Sequence, residues 1–213
     1  MTTSHPQVDR LIGVMHALRS GCPWDAEQTH LSLVHYLVEE TGELVEAIEN
    51  GDDADLLEEL GDLMLQVLFH AEIAAEAGRF DIEDVAARIA DKLIARHPYV
   101  FGEAEVPDDL IGSWERRKKL EKGRTSALDG IPERLSALAR AHKVIGRARS
   151  QGHPPEELGV EPADLEPSRL GEEFLRLVAT AEALGVDPEQ EARQALRDLE
   201  DRLRRLEAEQ PQG

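Results

Sequence analysis

Apolar residues recur at intervals of three and four along the chain, and no stretch alternates with the period of two that a half-buried strand requires. The pattern predicts an all-α protein. A first helix covers about Pro6 to Arg19, with Leu11, Val14, Met15 and Leu18 on one face, and Gly21 and Pro23 of "SGCPWDAEQT" break it. A second helix starts near His30 and stops at Gly51. A third runs from about Ala54 to Ala77 and stops at Gly78. The fourth follows Asp81 as its N-cap and ends at "RHPYVFG". A fifth is predicted over about Asp108 to Lys122 and a sixth over about Pro132 to Arg149. "SQGHPPEELGVEPADLEPS" reads as a Pro-rich linker, and two final helices follow near Ser168–Leu184 and Pro188–Glu209. The short turn at "ENGDD" makes the second and third helices an antiparallel pair.

That pair is crowded with acids, and the helical wheel sorts them. With Glu39 at zero, Glu43 lies near about 40° and Glu40 near about 100°, against an apolar stripe of Leu33, Leu37, Leu44 and Ile48. On the next helix, Leu56, Leu57, Leu60, Leu63, Met64, Val67 and Leu68 fill one side of Glu59, and Phe69 and Ile73 flank Asp62. Glu40, Glu43, Glu59 and Asp62 therefore face inward or border apolar surface. Glu46, Glu49, Asp52, Asp53 and Glu58 read as a solvated face.

Converging carboxylates must be neutralised by protons, basic partners or a metal. No Lys or Arg occurs from Glu39 to Glu76. A divalent cation is the economical answer, and all-oxygen donors favour Mg²⁺ or Mn²⁺ over zinc. Composition narrows the picture further. A net charge of −20 argues against nucleic acid or a membrane as partner. A single cysteine, Cys22, excludes an intramolecular disulfide and fits a reducing cytoplasm; it reads as packed, not nucleophilic. No apolar run approaches the length of a membrane span, and "MTTSHPQVDR" has no signal-peptide core. A cytoplasmic location is expected. His70 reads as a core histidine.

Glu39-Glu40-x-x-Glu43 followed by Glu59-x-x-Asp62 resembles the signature of the MazG family of nucleoside triphosphate pyrophosphohydrolases. "GCPWDAEQTHLSL", "DKLIARHPYVFGE", "SWERRKKLEKG" and "SALDGIPERLSALARAHK" are similar to full-length members, so the resemblance runs from about Leu11 to Arg149. It implies hydrolysis of NTP or dNTP to NMP or dNMP and pyrophosphate, in the service of nucleotide-pool housecleaning. It implies Glu40, Glu43, Glu59 and Asp62 as metal ligands and Lys92 and Arg96 as phosphate contacts. Trp114 would lie against the nucleotide, and Trp24 would sit in a loop near the site. Attack by a metal-activated water follows from the family, with Glu39 as the base. The fold implied is a four-helix-bundle core completed by dimerisation, as a homodimer or a dimer of dimers. The catalytic domain would span 1–122. The remainder, 123–213, would hold a connecting helix, the linker and a degenerate second helical repeat.

That second repeat rests on an echo of "ELGDLMLQV" in "RLGEEFLRL" at Arg169–Leu177. Arg169 stands where Glu59 stands, and a cation there would repel a metal, so one active site per chain is expected. Three rivals remain. A dUTPase-like or dCTPase-like enzyme of the same superfamily shares the acid pattern. A non-catalytic nucleotide-binding scaffold is a second. A di-iron carboxylate protein would need two Glu-x-x-His motifs, whereas the inward acid pair is accompanied only by Glu27-x-x-His30. Base, sugar and the cellular target are not legible in the residues.

Overall fold

A computed structural model describes residues 5–110, 112–114, 117, 121, 123 and 125–209. Every regular element among them is helical. The chain forms two compact units, Met1–Glu103 and Ala104–Gly213. The division falls some way before the boundary near 122 expected from the sequence.

In the first unit, α1 spans Pro6–Gly21, α2 Pro23–Glu27, α3 Val34–Asn50, α4 Asp53–Glu76, α5 Ile82–Arg96 and α6 Pro98–Phe101. The helix ends follow from local chemistry. Gly51 closes α3 in the left-handed region at φ 73°, which a Cβ would disfavour. Asp52 then caps α4 by accepting from the Ala54 and Asp55 amides. Asp81 and Asp84 form a reciprocal capping box at the start of α5. Helix α3 starts four residues later than the sequence suggested, because Thr29–Leu33 is a turn held by Ser32 and Thr29. The two short helices α2 and α6 were not predicted; neither is long enough to show a period.

The core of this unit sits toward one end of the α3–α4 hairpin. Met15, Leu33, Leu68 and Phe69 are buried there, with Leu11, Ile12, Tyr36, Leu65, Ile73 and Ile82 packed around them. Arg19 fastens the neighbouring loop. It donates to Glu76 Oε1 at 2.8 Å and to the Gln28 carbonyl at 3.1 Å, contacts the Asp25 carbonyl, and lies over the Phe69 ring. The other end of the hairpin is uncovered. Val38, Val45, Ile48, Leu57 and Leu60 are all exposed along it.

In the second unit, α7 spans Ala137–Ser150, α8 Leu170–Ala183 and α9 Pro188–Glu209. Ser136 caps α7 by accepting from the Ala139 amide, so the predicted start at Pro132 is too early. Of the predicted fifth helix, residues 111, 115–116, 118–120 and 122 lie outside the described residues. Ala127, Val144, Leu158, Leu199 and Leu203 build the core. Buried Glu200 receives the Arg140 guanidinium at 2.7 Å, which satisfies both charges. The Pro-rich stretch is no free spacer: Pro155–Leu158 forms a 3₁₀ turn that buries Leu158 completely, and Arg202 donates to the Leu158 carbonyl at 2.7 Å. Among the described residues no helix is long and apolar enough to cross a membrane.

Candidate active site

Helices α3 and α4 each carry acids on the face turned to the other. Glu40 and Glu43, one turn apart on α3, meet Glu59 of α4, and one carboxylate oxygen from each lies within 4.8 Å of the others. Glu40 and Glu59 are half-buried and Glu43 is exposed. Asp62, one turn beyond Glu59 and half-buried, is not among these three, although its charge acts on both Glu40 and Glu59. Glu39 points to solvent.

The electrostatics bear out the crowding. Burial first, then the charges of Asp62, Glu43 and Glu39, raise the Glu40 pKa above its ordinary value; a hydrogen bond from Gln66 opposes the shift. Burial and the charges of Glu43, Asp62, Glu58 and Glu40 likewise raise Glu59. Glu59 Oε2 is buried without a hydrogen-bond partner. Leaving such an atom unmatched is unfavourable, the more so for a charged group. Three oxygen donors within a cation's reach and an unmet carboxylate oxygen fit a hard divalent ion.

These shifts carry a pH signature. A carboxyl whose folded pKa exceeds its unfolded value favours the folded state fully below the unfolded value, and that contribution is lost as pH rises through the folded one. Without metal, the thermal midpoint should therefore rise as pH falls from about 7.5 toward the raised pKa values. Glu76 works oppositely, because its hydrogen bonds from Arg19 depress its pKa, but its contribution is lost only at lower pH. Thermal unfolding in chelator measures the slope. An equal slope in a Glu40→Gln, Glu59→Gln double variant would assign it elsewhere.

The remaining candidates lie on other elements. Lys92, half-buried on α5, lines an open groove of about 900 Å³ with Arg79, Phe80, Arg88 and Ile89. Arg96 is buried in the last turn of the same helix, where its charge also suits the helix dipole. Trp24 packs edge-on against Tyr36 and Phe69, at 5.8 and 6.5 Å between centroids, and remains half exposed. Trp114 is half-buried in the second unit. Cys22 is a free thiol preceding α2.

Sequence reasoning missed two polar contacts here. Gln66 is buried and donates to Glu40 Oε1 at 3.5 Å. Its place on the inner face of α4 was the only available signal. His70 pairs with His30, Nδ1 to Nδ1 at 2.8 Å, with the rings stacked. Arg79 can only donate, so His30 Nε2 accepts from it and His30 Nδ1–H donates to His70. Both imidazoles are then neutral, and burial together with His30 lowers the His70 pKa. His70 is a satisfied structural histidine, as its position suggested.

The arrangement defines an all-α protein whose two antiparallel helices bring together carboxylates that could hold a cation. Residues 28–101 match the MazG nucleotide pyrophosphohydrolase domain. The chain is 39% identical over 218 residues to the nucleoside triphosphate pyrophosphohydrolase/pyrophosphatase MazG of Thermotoga maritima, covering 93% of this chain and 85% of that one. It is 46% identical over 154 residues to the nucleoside triphosphate pyrophosphohydrolase of Escherichia coli K12, covering 68% of this chain and 59% of the relative's length. The crystal structure of a MazG-related protein from Thermotoga maritima aligns with 52% of this chain and 98% of its own, at 29% identity and a TM-score of 0.46. The chain belongs to the MazG family.

Proposed function

We propose that the chain is a metal-dependent hydrolase of phosphoric anhydrides that converts nucleoside triphosphates to monophosphates and pyrophosphate. The observation that carries this is the convergence of Glu40, Glu43 and Glu59 in a chain of this family. The activity is that named for the relatives from Thermotoga maritima and Escherichia coli. Catalysis belongs to the N-terminal part, up to about residue 122, with one site per chain. The C-terminal helices, in which Arg169 forms an ion pair with Glu173, serve packing or regulation.

Glu40, Glu43, Glu59 and Asp62 would hold Mg²⁺, with Mn²⁺ as a substitute. When bound, the cation offsets the triphosphate's charge, which a protein of net charge −20 would otherwise repel, and stabilises charge developing at phosphorus. Lys92 and Arg96, one turn apart, grip the phosphates. Glu39, exposed beside the cluster, takes the proton of the attacking water. Trp24 lies against the nucleotide. A homodimer, or a dimer of dimers, covers the apolar end of the α3–α4 hairpin, since one hairpin leaves that end open to water. The enzyme works in the cytoplasm, a setting the lone thiol suits.

A panel of canonical and oxidised NTPs and dNTPs, with products separated by chromatography, tests the reading. Only NMP or dNMP and pyrophosphate are expected. Orthophosphate appearing first would sink it, and turnover confined to dUTP or dCTP would move the chain to the neighbouring enzymes of the superfamily.

A further inference from the structure

Two side-chain atoms are buried without a partner among the described residues, Glu59 Oε2 and Gln66 Oε1. They belong to residues seven positions apart on α4. That is two turns, so both side chains leave the same face of the helix. Gln66 is 4% exposed, and its Nε2 reaches Glu40 Oε1 at 3.5 Å. The orientation of the amide is dictated by chemistry. An ionised carboxylate only accepts, so the N–H side must face Glu40, and the carbonyl side is left with no donor.

Leu or Met would fill the same buried space without an unmet acceptor. Stability therefore does not explain an amide here, and its contact with Glu40 does. The residue type also matters. Lys or Arg at this position would neutralise Glu40 and compete with a cation, and a carboxylate would repel it. A neutral amide orients the carboxylate and leaves its charge available.

We propose that Gln66 is a positioning residue of the acidic centre, whose amide N–H holds the Glu40 carboxylate where it converges with Glu43 and Glu59. The proposal rests on reading that cluster as a metal site. It is tested on the full chain by titrating Mn²⁺, with calorimetry or electron paramagnetic resonance, and by thermal unfolding in chelator. Gln66→Met should weaken Mn²⁺ binding about 10- to 100-fold, the range typical for loss of a partner behind a ligand. Its midpoint in chelator should be equal to that of the parent or higher. Gln66→Asn, whose shorter amide does not reach Glu40, should also weaken Mn²⁺.

Unchanged Mn²⁺ affinity in Gln66→Met, while Glu40→Gln loses it, overturns the proposal and leaves the metal site standing. A lowered midpoint, or a Met variant that does not fold, overturns it too, because the amide is then structural. If Glu40→Gln itself binds Mn²⁺ normally, the metal reading fails and takes the proposal with it.

Discussion

Glu40→Gln is expected to lower turnover by about a thousandfold or more while the helices remain intact. Glu40 is coupled to its neighbours on both helices: three acids act on it and Gln66 holds it. A bound cation contributes several kcal/mol of charge stabilisation to a reacting phosphoryl group, and about 4 kcal/mol corresponds to about a thousandfold in rate. The amide keeps the shape of the side chain and removes the charge. Relief of repulsion with Glu43 and Glu59 should leave the metal-free protein as stable as the parent, or more so, near neutral pH. Pyrophosphate release and Mg²⁺ titration check the first half, and thermal unfolding in chelator checks the second. Near-normal turnover in Glu40→Gln would remove the residue from the ligand set.

A Leu57→Asp, Leu60→Asp double variant should be monomeric and should lose activity by at least about a hundredfold, with its helix content retained. Leu57 is 76% exposed and Leu60 51%, close along α4 to Glu59, and Val38, Val45 and Ile48 are exposed on α3. Exposed apolar side chains so near the acidic centre are the ones the proposed dimer would cover. Within one chain these positions already face water, so acids there should cost the isolated fold little. Across a subunit interface the same acids would be buried unpaired, at several kcal/mol each. Light scattering over a range of concentrations, read beside activity and far-ultraviolet circular dichroism, decides the matter. A parent protein that is monomeric and active at every concentration, or a double variant as active as the parent, would refute the assembly.

Much of the acidic hairpin was legible because its signals are local. Gly51 and Gly78 stop helices since they take positive φ without a Cβ penalty, and Asp81 starts one through its own side chain. The wheel turned Glu40, Glu43 and Glu59 toward the facing helix because helical geometry is fixed at each step. It could not say that Asp62 stands off from the other three, since that depends on side-chain rotamers and on how the helices cross. The late start of α3 was illegible for a similar reason. Thr29 and Ser32 hold a turn before it through their hydroxyls, and His30 pairs with a histidine 40 positions away, neither of which the apolar pattern displays.

By itself, the sequence determined the all-helical class, the places where most helices begin and end, the acids that share a face and the family to which the chain belongs. The first three follow from backbone chemistry or periodicity within a few residues; the family follows from motifs shared with its members. Only the tertiary structure decided that Pro155–Leu158 packs into a core, that Arg19 ties the end of α2 to α4, and that His30 and His70 hydrogen-bond to each other. The burial of Gln66 against Glu40 belongs with them. Apart from Arg19's bonds to the Asp25 and Gln28 carbonyls, these contacts join residues 26 to 57 positions apart or set a polar stretch against an apolar core, and no local propensity encodes such pairings. They exist because a buried polar group must find its partner wherever the packed chain brings one.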